Sequence, residues 1–462
     1  MPDNKKTNIL WIMTDEQRTD SLGCYGSSWA KTPNLDRLAR EGVLFKNAIT
    51  PSPMCVPARI SILTGKYPSE IGIWNNKCIK EEEEHLTYCF KEAGYRTASF
   101  GKKHYGTNKK AFDIELAFSL SNEVGYEKYD DKYDEKEFDV IKYKGKVKWI
   151  MGGIFPALVT ETQESKVVEL AKDFLLEKDE DIPFLLRLSF NGPHTPVVAP
   201  RPFDTVIDKE SIKIPPETEG ARKALPQWTK VLMDEYAGSD IMEKEFFERC
   251  RRYYYGYASY IDYEIGSFLG WMARRGLLDN TIVVFVSDHG THFGDYGLVQ
   301  KQTFYDPVVN VPFIFWYPNW FKAGLKVDTP VETRWLLPTL LDVVGLNVPE
   351  RTNCSILTDT LCGGKESDPK PVHSEFILNS NPDLSQDKIF MVREGKWKLS
   401  AQYNKEQLMV NAFLLDMEKD PYEQNNLYGN KEYCEIGSRL IKEIEKHLNI
   451  AVTDSSMMID NQ

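Results

Sequence analysis

Apolar residues along the chain fall into two alternating textures. Short uninterrupted runs, NILWIMT over Asn8–Thr14, YRTASF after Gly94, PFLLRLSF before Asn191 and TIVVFV before Ser287, predict strands with both faces covered. Between them lie amphipathic segments that predict helices: NLDRLARE, opened by Thr32-Pro33 and closed by Gly42; HLTYCFKEA, ended by Gly94; ESKVVELAKDFLLEK; and a long stretch from Glu243 to Arg275, punctuated by Gly256 and Gly266. VPFIFWYP adds a buried strand and RWLLPTLLDVVG a helix. Strands alternating with helices predict an α/β fold with a large, mostly parallel sheet sandwiched by helices. Past a loop near 362–370 the texture changes to HSEFIL, KIFMVREGKWKLS and FLLDMEKDPYEQNNL, then a helical pattern near 431–449. These predict a smaller α+β domain over 366–462, with an antiparallel sheet and one helix, after a larger α/β domain over 1–365.

Two stretches interrupt the larger domain. Residues 105–160 contain YEKYDDKYDEKEFDVIKYKGKVKW, dense in charge and tyrosine, and 200–242 carry prolines at 202, 215, 216 and 226. Both are expected to be insertions, the first either a solvated excursion or a wall over the functional crevice.

A polar cluster follows each of the first four predicted strands: Asp15-Glu16, Lys102-Lys103-His104, Asn191 to His194, and Asp288-His289. In open parallel sheets ligands bind beyond the carboxyl ends of the strands, so clusters far apart in sequence are expected to converge on one crevice. Four of the seven histidines lie in or beside these clusters, counting His292, which is expected to be peripheral.

The stretch most loaded with chemistry is TPSPMCVPARISILTGKYP, Thr50–Pro68. Pro57 suits a first helical position, which predicts a helix over Pro57–Thr64 with Cys55 at its mouth. Open backbone donors and the helix dipole there favour an anion and acidify a thiol. Arg59, one turn in, adds a permanent planar cation suited to an oxyanion.

Composition narrows the partners. At 462 residues, 42% hydrophobic and 27% charged, the chain is a soluble globular protein by composition. A net charge of -12 argues against nucleic acid, because phosphate binding needs a basic face. Eight cysteines show no CxxC metal pairs. The apolar run Ile9–Met13 is too short for a signal segment, and Trp149–Val159 is interrupted by Gly-Gly and Pro and far short of a bilayer span. A cytoplasmic protein, or an exported one whose leader is already removed, is therefore expected, without membrane partners; oligomeric state is not readable.

The pattern C-x-P-x-R followed by LTG resembles the signature of the formylglycine-dependent sulfatases, of the alkaline-phosphatase-like superfamily. TDEQRTDSLGCYG, KTPNLDRLAREGVLF, CVPAR with LTGKYP, GKKH, PHTP, SDHG with Lys301, and DMEKDPYEQNNL are similar to family segments in family order. The resemblance implies an alkaline-phosphatase-like fold and a sulfuric ester hydrolase in which Cys55 is oxidised to formylglycine by a formylglycine-generating enzyme. It also implies one divalent cation, with Asp15, Glu16, Asp288 and His289 gathered around it beside residue 55. The family's usual set is three aspartates and an asparagine binding calcium, from which Glu16 and His289 depart. Carboxylate oxygens suit calcium, while the imidazole moves preference toward manganese, the alternative cation.

By the same resemblance, Arg59, Lys102 and Lys301 hold the sulfate oxygens, His194 with Lys301 protonates the leaving group, and His104 serves as base. A small sulfated sugar or aryl sulfate is the expected substrate, since the net negative charge would repel a long polyanion. Other readings stay open: a phosphonate monoester or phosphodiester hydrolase on the same scaffold, or a non-catalytic sulfate binder if Cys55 stays a thiol. A two-metal phosphatase is disfavoured by the lack of a second Asp/His cluster.

Overall fold

A computed structural model describes residues 6–76, 84–105, 110–117, 138–143, 147–177, 179, 181–208, 210–212, 214–215, 217–218, 221–222, 225–229, 243–318, 320–364, 370–378 and 387–448. Its centre is an eight-stranded sheet. In chain order the strands are β1 (Asn8–Thr14), β2 (Val43–Phe45), β3 (Arg96–Gly101), β4 (Ile114–Ala117), β5 (Phe184–Ser189), β6 (Thr281–Ser287), β7 (Phe313–Trp316) and β8 (Leu325–Val327). Their spatial order is β8-β2-β7-β6-β1-β5-β3-β4. Five of the seven pairings are parallel; β7 runs antiparallel to both its neighbours.

Alternation along β1 explains why every residue from Ile9 to Met13 is apolar. Ile9, Trp11 and Met13 face one core, shared with Val56, Ile60 and Leu63 of the helix Cys55–Thr64 and with Leu336, Leu337, Leu340 and Leu341 of Leu336–Val343. Leu10 and Ile12 face the other core, against Leu35 and Leu38 of Pro33–Glu41, Val167 and Ala171 of Gln163–Leu176, and Ile261 and Ile265 of Lys244–Ala273. Successive side chains point to opposite faces, so a strand roofed on both sides has no position left for polarity. The fully buried Trp11 and its apolar neighbours each contribute roughly 1.5–3 kcal/mol of burial.

The long segment from Glu243 forms one helix, Lys244–Ala273, running unbroken through Gly256 and Gly266. Close packing explains these glycines, since a Cβ on Gly256 would meet the Phe203 carbonyl oxygen at 2.3 Å, and one on Gly266 the Asn34 side chain at 2.2 Å. Gly42 closes Pro33–Glu41 as expected, though not through a left-handed turn: its φ is -131°, and a Cβ there would lie 2.2 Å from the Phe315 carbonyl oxygen.

A separate four-stranded antiparallel sheet follows: β9 (Val372–Ile377), β10 (Lys388–Glu394), β11 (Trp397–Tyr403) and β12 (Met409–Asp416), in that spatial order. The helix Cys434–His447 packs Leu440, Ile441 and Ile444 on it. This smaller sheet is tied to the rest through Asp306, which pairs with Lys398 at 2.7 Å and donates its backbone N–H to Glu423 at 2.6 Å, Glu423 in turn pairing with Lys398 at 2.5 Å. The boundary expected near 365 falls at 365–369, outside the described residues. Of the expected insertion 105–160, residues 106–109, 118–137 and 144–146 are also outside them, while Ile114–Ala117 extends the main sheet beside β3. Within 200–242, residues 230–242 lie outside the described set. Among the described residues no helix is long and apolar enough to cross a membrane.

Candidate active site

Strand register brings the polar clusters together. Thr14 of β1 pairs with Ser287 of β6, Met13 with Ser189 of β5, and Ser189 with Gly101 of β3. Asp15, Asp288 and Lys102 therefore leave adjacent parallel strands at one edge, with His194 a few residues further on. Gly101 makes that edge tight: its φ is +101°, and a Cβ would lie 2.0 Å from the Ser189 carbonyl oxygen. Lys102 N donates to that same oxygen at 2.8 Å.

The helix carrying the nucleophile candidate begins at Cys55, two residues before the proline expected to open it. Met54 gives no side-chain cap, and the exposed first-turn donor of Val56 is taken by Asn76 Oδ1 at 3.1 Å. Arg59 is wholly buried and directs its guanidinium at four groups: Nε to Asp288 Oδ2 at 2.7 Å, Nη2 to Asp15 Oδ2 at 3.0 Å, and Nη1 to Ser189 Oγ at 2.8 Å and the Lys102 carbonyl at 3.3 Å.

Around the Cys55 sulfur stand Lys301 Nζ at 3.0 Å, His289 Nε2 at 3.2 Å, Asp15 Oδ1 at 3.8 Å and Lys102 Nζ at 4.0 Å. His104 stands at the open side of the set, where burial of its ring and Lys102 pull the imidazole below its ordinary range and Cys55 opposes them. His289 Nδ1 donates to the Gly290 carbonyl at 2.8 Å, which orients the ring so that Nε2 faces the sulfur. Ligand atoms of Asp15, Cys55, Asp288 and His289, all buried, lie within 4.8 Å of one another.

Glu16 does not join that group. Its backbone adopts φ 60° and its carboxylate turns to Lys301 Nζ at 2.7 Å and His194 Nε2 at 3.4 Å, both through Oε1. Together with Asp15 and His194 it forms a second cluster of potential ligands. His292, expected to be peripheral, is buried on Thr303 Oγ1 at 2.8 Å.

The electrostatics follow from concentrating opposite charges out of water. Burial and Asp15 oppose ionisation of the Cys55 thiol, yet Lys102, Lys301 and His289 hold it well below the ordinary thiol range. Burial likewise works against Asp15, and Lys102, His194, Arg59 and Lys301 overcome it, keeping the carboxylate ionised. Asp288 is pushed up to about 6 by burial and by Asp15. Burial disfavours charge on His289, but Asp288 more than offsets it and raises the imidazole to about 9. The pocket is built to receive further positive charge between the carboxylates and negative charge at residue 55.

The family model described as "Sulfatase" matches residues 7–346. The chain belongs to the sulfatase family. A second model, "N-sulphoglucosamine sulphohydrolase, C-terminal", matches residues 294–449. The sulfatase is 31% identical over 459 residues to the ulvan-active sulfatase of Formosa agariphila, covering 96% of this chain and 81% of that one. It is 29% identical to the arylsulfatase of Clostridium perfringens, covering 95% of both. Among solved structures, the phosphonate monoester hydrolase of Agrobacterium radiobacter superposes with a TM-score of 0.79 at 22% identity, covering 96% of this chain and 95% of that one. A structure in complex with its substrate D-glucosamine-2-N,6-O-disulfate superposes with a TM-score of 0.76 at 22% identity, covering 99% and 100%. These likenesses establish the alkaline-phosphatase-like fold, and the family makes this sulfatase a sulfuric ester hydrolase.

Membership implies a divalent cation and formylglycine, and the residues present fit both. Two carboxylates and an imidazole nitrogen, which a bound cation would hold in its deprotonated form, converge on residue 55, whose sulfur stands where the formylglycine oxygens would be.

Sequence reasoning missed several supports of this sulfatase site. Ser189, the last residue of β5, holds Arg59, and its place at a strand end beside the other clusters was the available signal. Arg187, in the middle of the same strand, is fully buried and donates to Ser99 Oγ at 3.0 Å and to the Lys102 carbonyl at 3.2 Å. A charged residue inside an otherwise apolar strand was the clue. Gly101→Ala is expected to lower the melting temperature and to cut turnover at least as much, because relief of the clash must separate Lys102 from Ser189. Calorimetry and steady-state kinetics on one preparation check it; unchanged kinetics in a destabilised variant would contradict it.

Proposed function

We propose that this sulfatase removes sulfate from a small sulfated carbohydrate or an aryl sulfate, through formylglycine made from Cys55 by a formylglycine-generating enzyme. What carries the reading is the buried arrangement in which Lys301 at 3.0 Å and His289 at 3.2 Å flank the sulfur of residue 55, above the carboxylates of Asp15 and Asp288. A net charge of -12 disfavours a long polyanion. Relatives described as an arylsulfatase and, at 26% identity, as the N-acetylglucosamine-6-O-sulfatase of Bacteroides thetaiotaomicron support the substrate class.

The cation we propose is calcium, with manganese as the alternative that an imidazole ligand favours. Asp15, Asp288, His289 and residue 55 would hold it, and Glu16, engaged with Lys301 and His194, would act from beside it. Bound there, the cation supplies Lewis-acid polarisation of a sulfate oxygen. Arg59, Lys102 and Lys301 supply fixed positive charge for the non-bridging oxygens, which requires no reorganisation as charge moves in the reaction. His194, with Lys301, carries the proton for the departing oxygen. His104, at the open side of the site, is the base that regenerates it. A domain boundary near 365 fits the change from mixed to antiparallel sheet.

The test combines peptide mass and sulfate release. The peptide carrying residue 55 should show the aldehyde mass, metal analysis should find about one calcium per chain, and sulfated mono- and disaccharides should release sulfate faster than intact polymer. An unmodified thiol in protein matured with its activating enzyme would sink the reading, and faster turnover of an aryl phosphonate monoester than of the aryl sulfate would replace it with phosphonate hydrolysis.

A further inference from the structure

Lys301 reaches the reaction centre on a backbone that is strained on both sides. Its neighbours Gln300 and Gln302 have φ of 67° and 72°, a region costly for residues with a Cβ. Gln300 is 2% exposed and pairs across a two-residue ladder with His292. A buried glutamine held left-handed, with no contact to the sulfur of residue 55 given by the structure, calls for a reason.

The reason lies in what its amide touches. Gln300 Nε2 donates to Thr195 Oγ1 at 3.3 Å, and Thr195 is itself 2% exposed. The carbonyl of Thr195 lies 2.5 Å from His194 Nδ1, which fixes the ring so that Nε2 faces the site. On the other side, His194 Nε2 and Lys301 Nζ converge on a single atom, Glu16 Oε1, at 3.4 and 2.7 Å. The contacts therefore close a ring: Lys301 to Glu16 to His194 through their charged ends, then His194 to Thr195 to Gln300 and back to Lys301 through the chain.

We propose that Gln300 is a positioning residue for leaving-group protonation, locking Lys301 and His194 to one another so that both proton donors face the same departing oxygen. The inference rests on the roles given above to His194 and Lys301. Gln300 directs its amide at Thr195, away from residue 55, and acts by fixing the separation of two groups on different loops. Displacement by about 1 Å is enough to cost on the order of 100-fold in a positioned step.

A purely structural glutamine and a positioning glutamine differ in which substrates suffer. An alkoxide or unactivated phenoxide needs a proton as the bond to sulfur breaks, whereas 4-nitrophenoxide leaves well without one. The matured, cation-loaded wild type, Gln300→Ala, Gln300→Asn and His194→Ala are compared on 4-nitrophenyl sulfate and phenyl sulfate. For Gln300→Ala the expected loss in kcat is on the order of 10- to 100-fold on phenyl sulfate but less than about 3-fold on 4-nitrophenyl sulfate, with KM nearly constant on both. Gln300→Asn, which keeps the amide, should recover part of the difference. Nitrogen NMR of labelled histidine should also show the His194 Nδ1 signal moving in Gln300→Ala.

Equal losses on both substrates, or an unmoved His194 signal, would overturn the proposal. His194→Ala separates the two levels of argument. If it shows the leaving-group dependence and Gln300→Ala does not, the positioning role fails while the acid stands; if His194→Ala shows none, the acid assignment itself fails.

Discussion

Cys55→Ala is expected to abolish sulfate-ester hydrolysis, by about 10⁵-fold or more, while leaving anion binding largely in place. In the proposed reaction residue 55 carries the attacking group, and no other described nucleophile shares its cage; the nearest side-chain atoms are the nitrogens of Lys301 and His289. In the proposed reading those nitrogens, with Arg59 and Lys102, hold the fixed charge for sulfate, and they stay when the sulfur is removed. Titration calorimetry with inorganic sulfate should therefore give a dissociation constant within about tenfold of the unsubstituted protein, roughly 1.4 kcal/mol. Retention of turnover in the variant would show that the reaction does not pass through residue 55. Loss of sulfate binding together with turnover would show that the anion is held mainly by the residue rather than by the surrounding cations.

Arg59→Met should be the most damaging substitution to the fold among the site residues. Its guanidinium is the shared partner of Asp15 and Asp288, all three wholly buried, and it also holds Ser189 and the Lys102 carbonyl. Removing one member of a buried ion network leaves charge without a partner and costs about 3–5 kcal/mol. The carboxylates left behind face each other, with Asp288 already pushed up to about 6 by burial and Asp15. Thermal melts with and without the divalent cation test this account, because a cation seated between the carboxylates replaces part of the lost charge. The cation should raise the melting temperature of Arg59→Met more than that of the unsubstituted protein, and an equal rise would contradict the idea. Arg59→Lys keeps the charge but loses the fork, and should fall between the two.

How far such a site can be read in advance depends on whether geometry follows from local pattern. Asp15, Lys102, His194 and Asp288 were legible because each directly follows an apolar run, and parallel pairing puts the carboxyl ends of adjacent runs together. Cys55 and Arg59 were legible because a helix start places them one turn apart. The antiparallel direction of Phe313–Trp316 was hidden, since a strand covered on both faces carries no mark of its polarity in the sheet. Glu16 was expected among the cation ligands from its place beside Asp15; its contacts with Lys301 and His194, made from a backbone at φ 60°, were not legible, because a dihedral is not written in residue type. Gln300 was invisible for the same reason: its importance comes from a contact with Thr195, 105 positions away.

The placement of β1, β5 and β6 also determines how the protein loses activity. These are interior strands of the eight, each paired on both sides, and they end directly in Asp15, Ser189 and Asp288. Their amides are expected to exchange with solvent deuterium only when the whole molecule opens, not through local fraying. The reaction centre is then among the last regions to come apart, so heat inactivation and global unfolding should share one rate constant. A residual-activity assay would in that case serve as a direct clock for the lifetime of the native state.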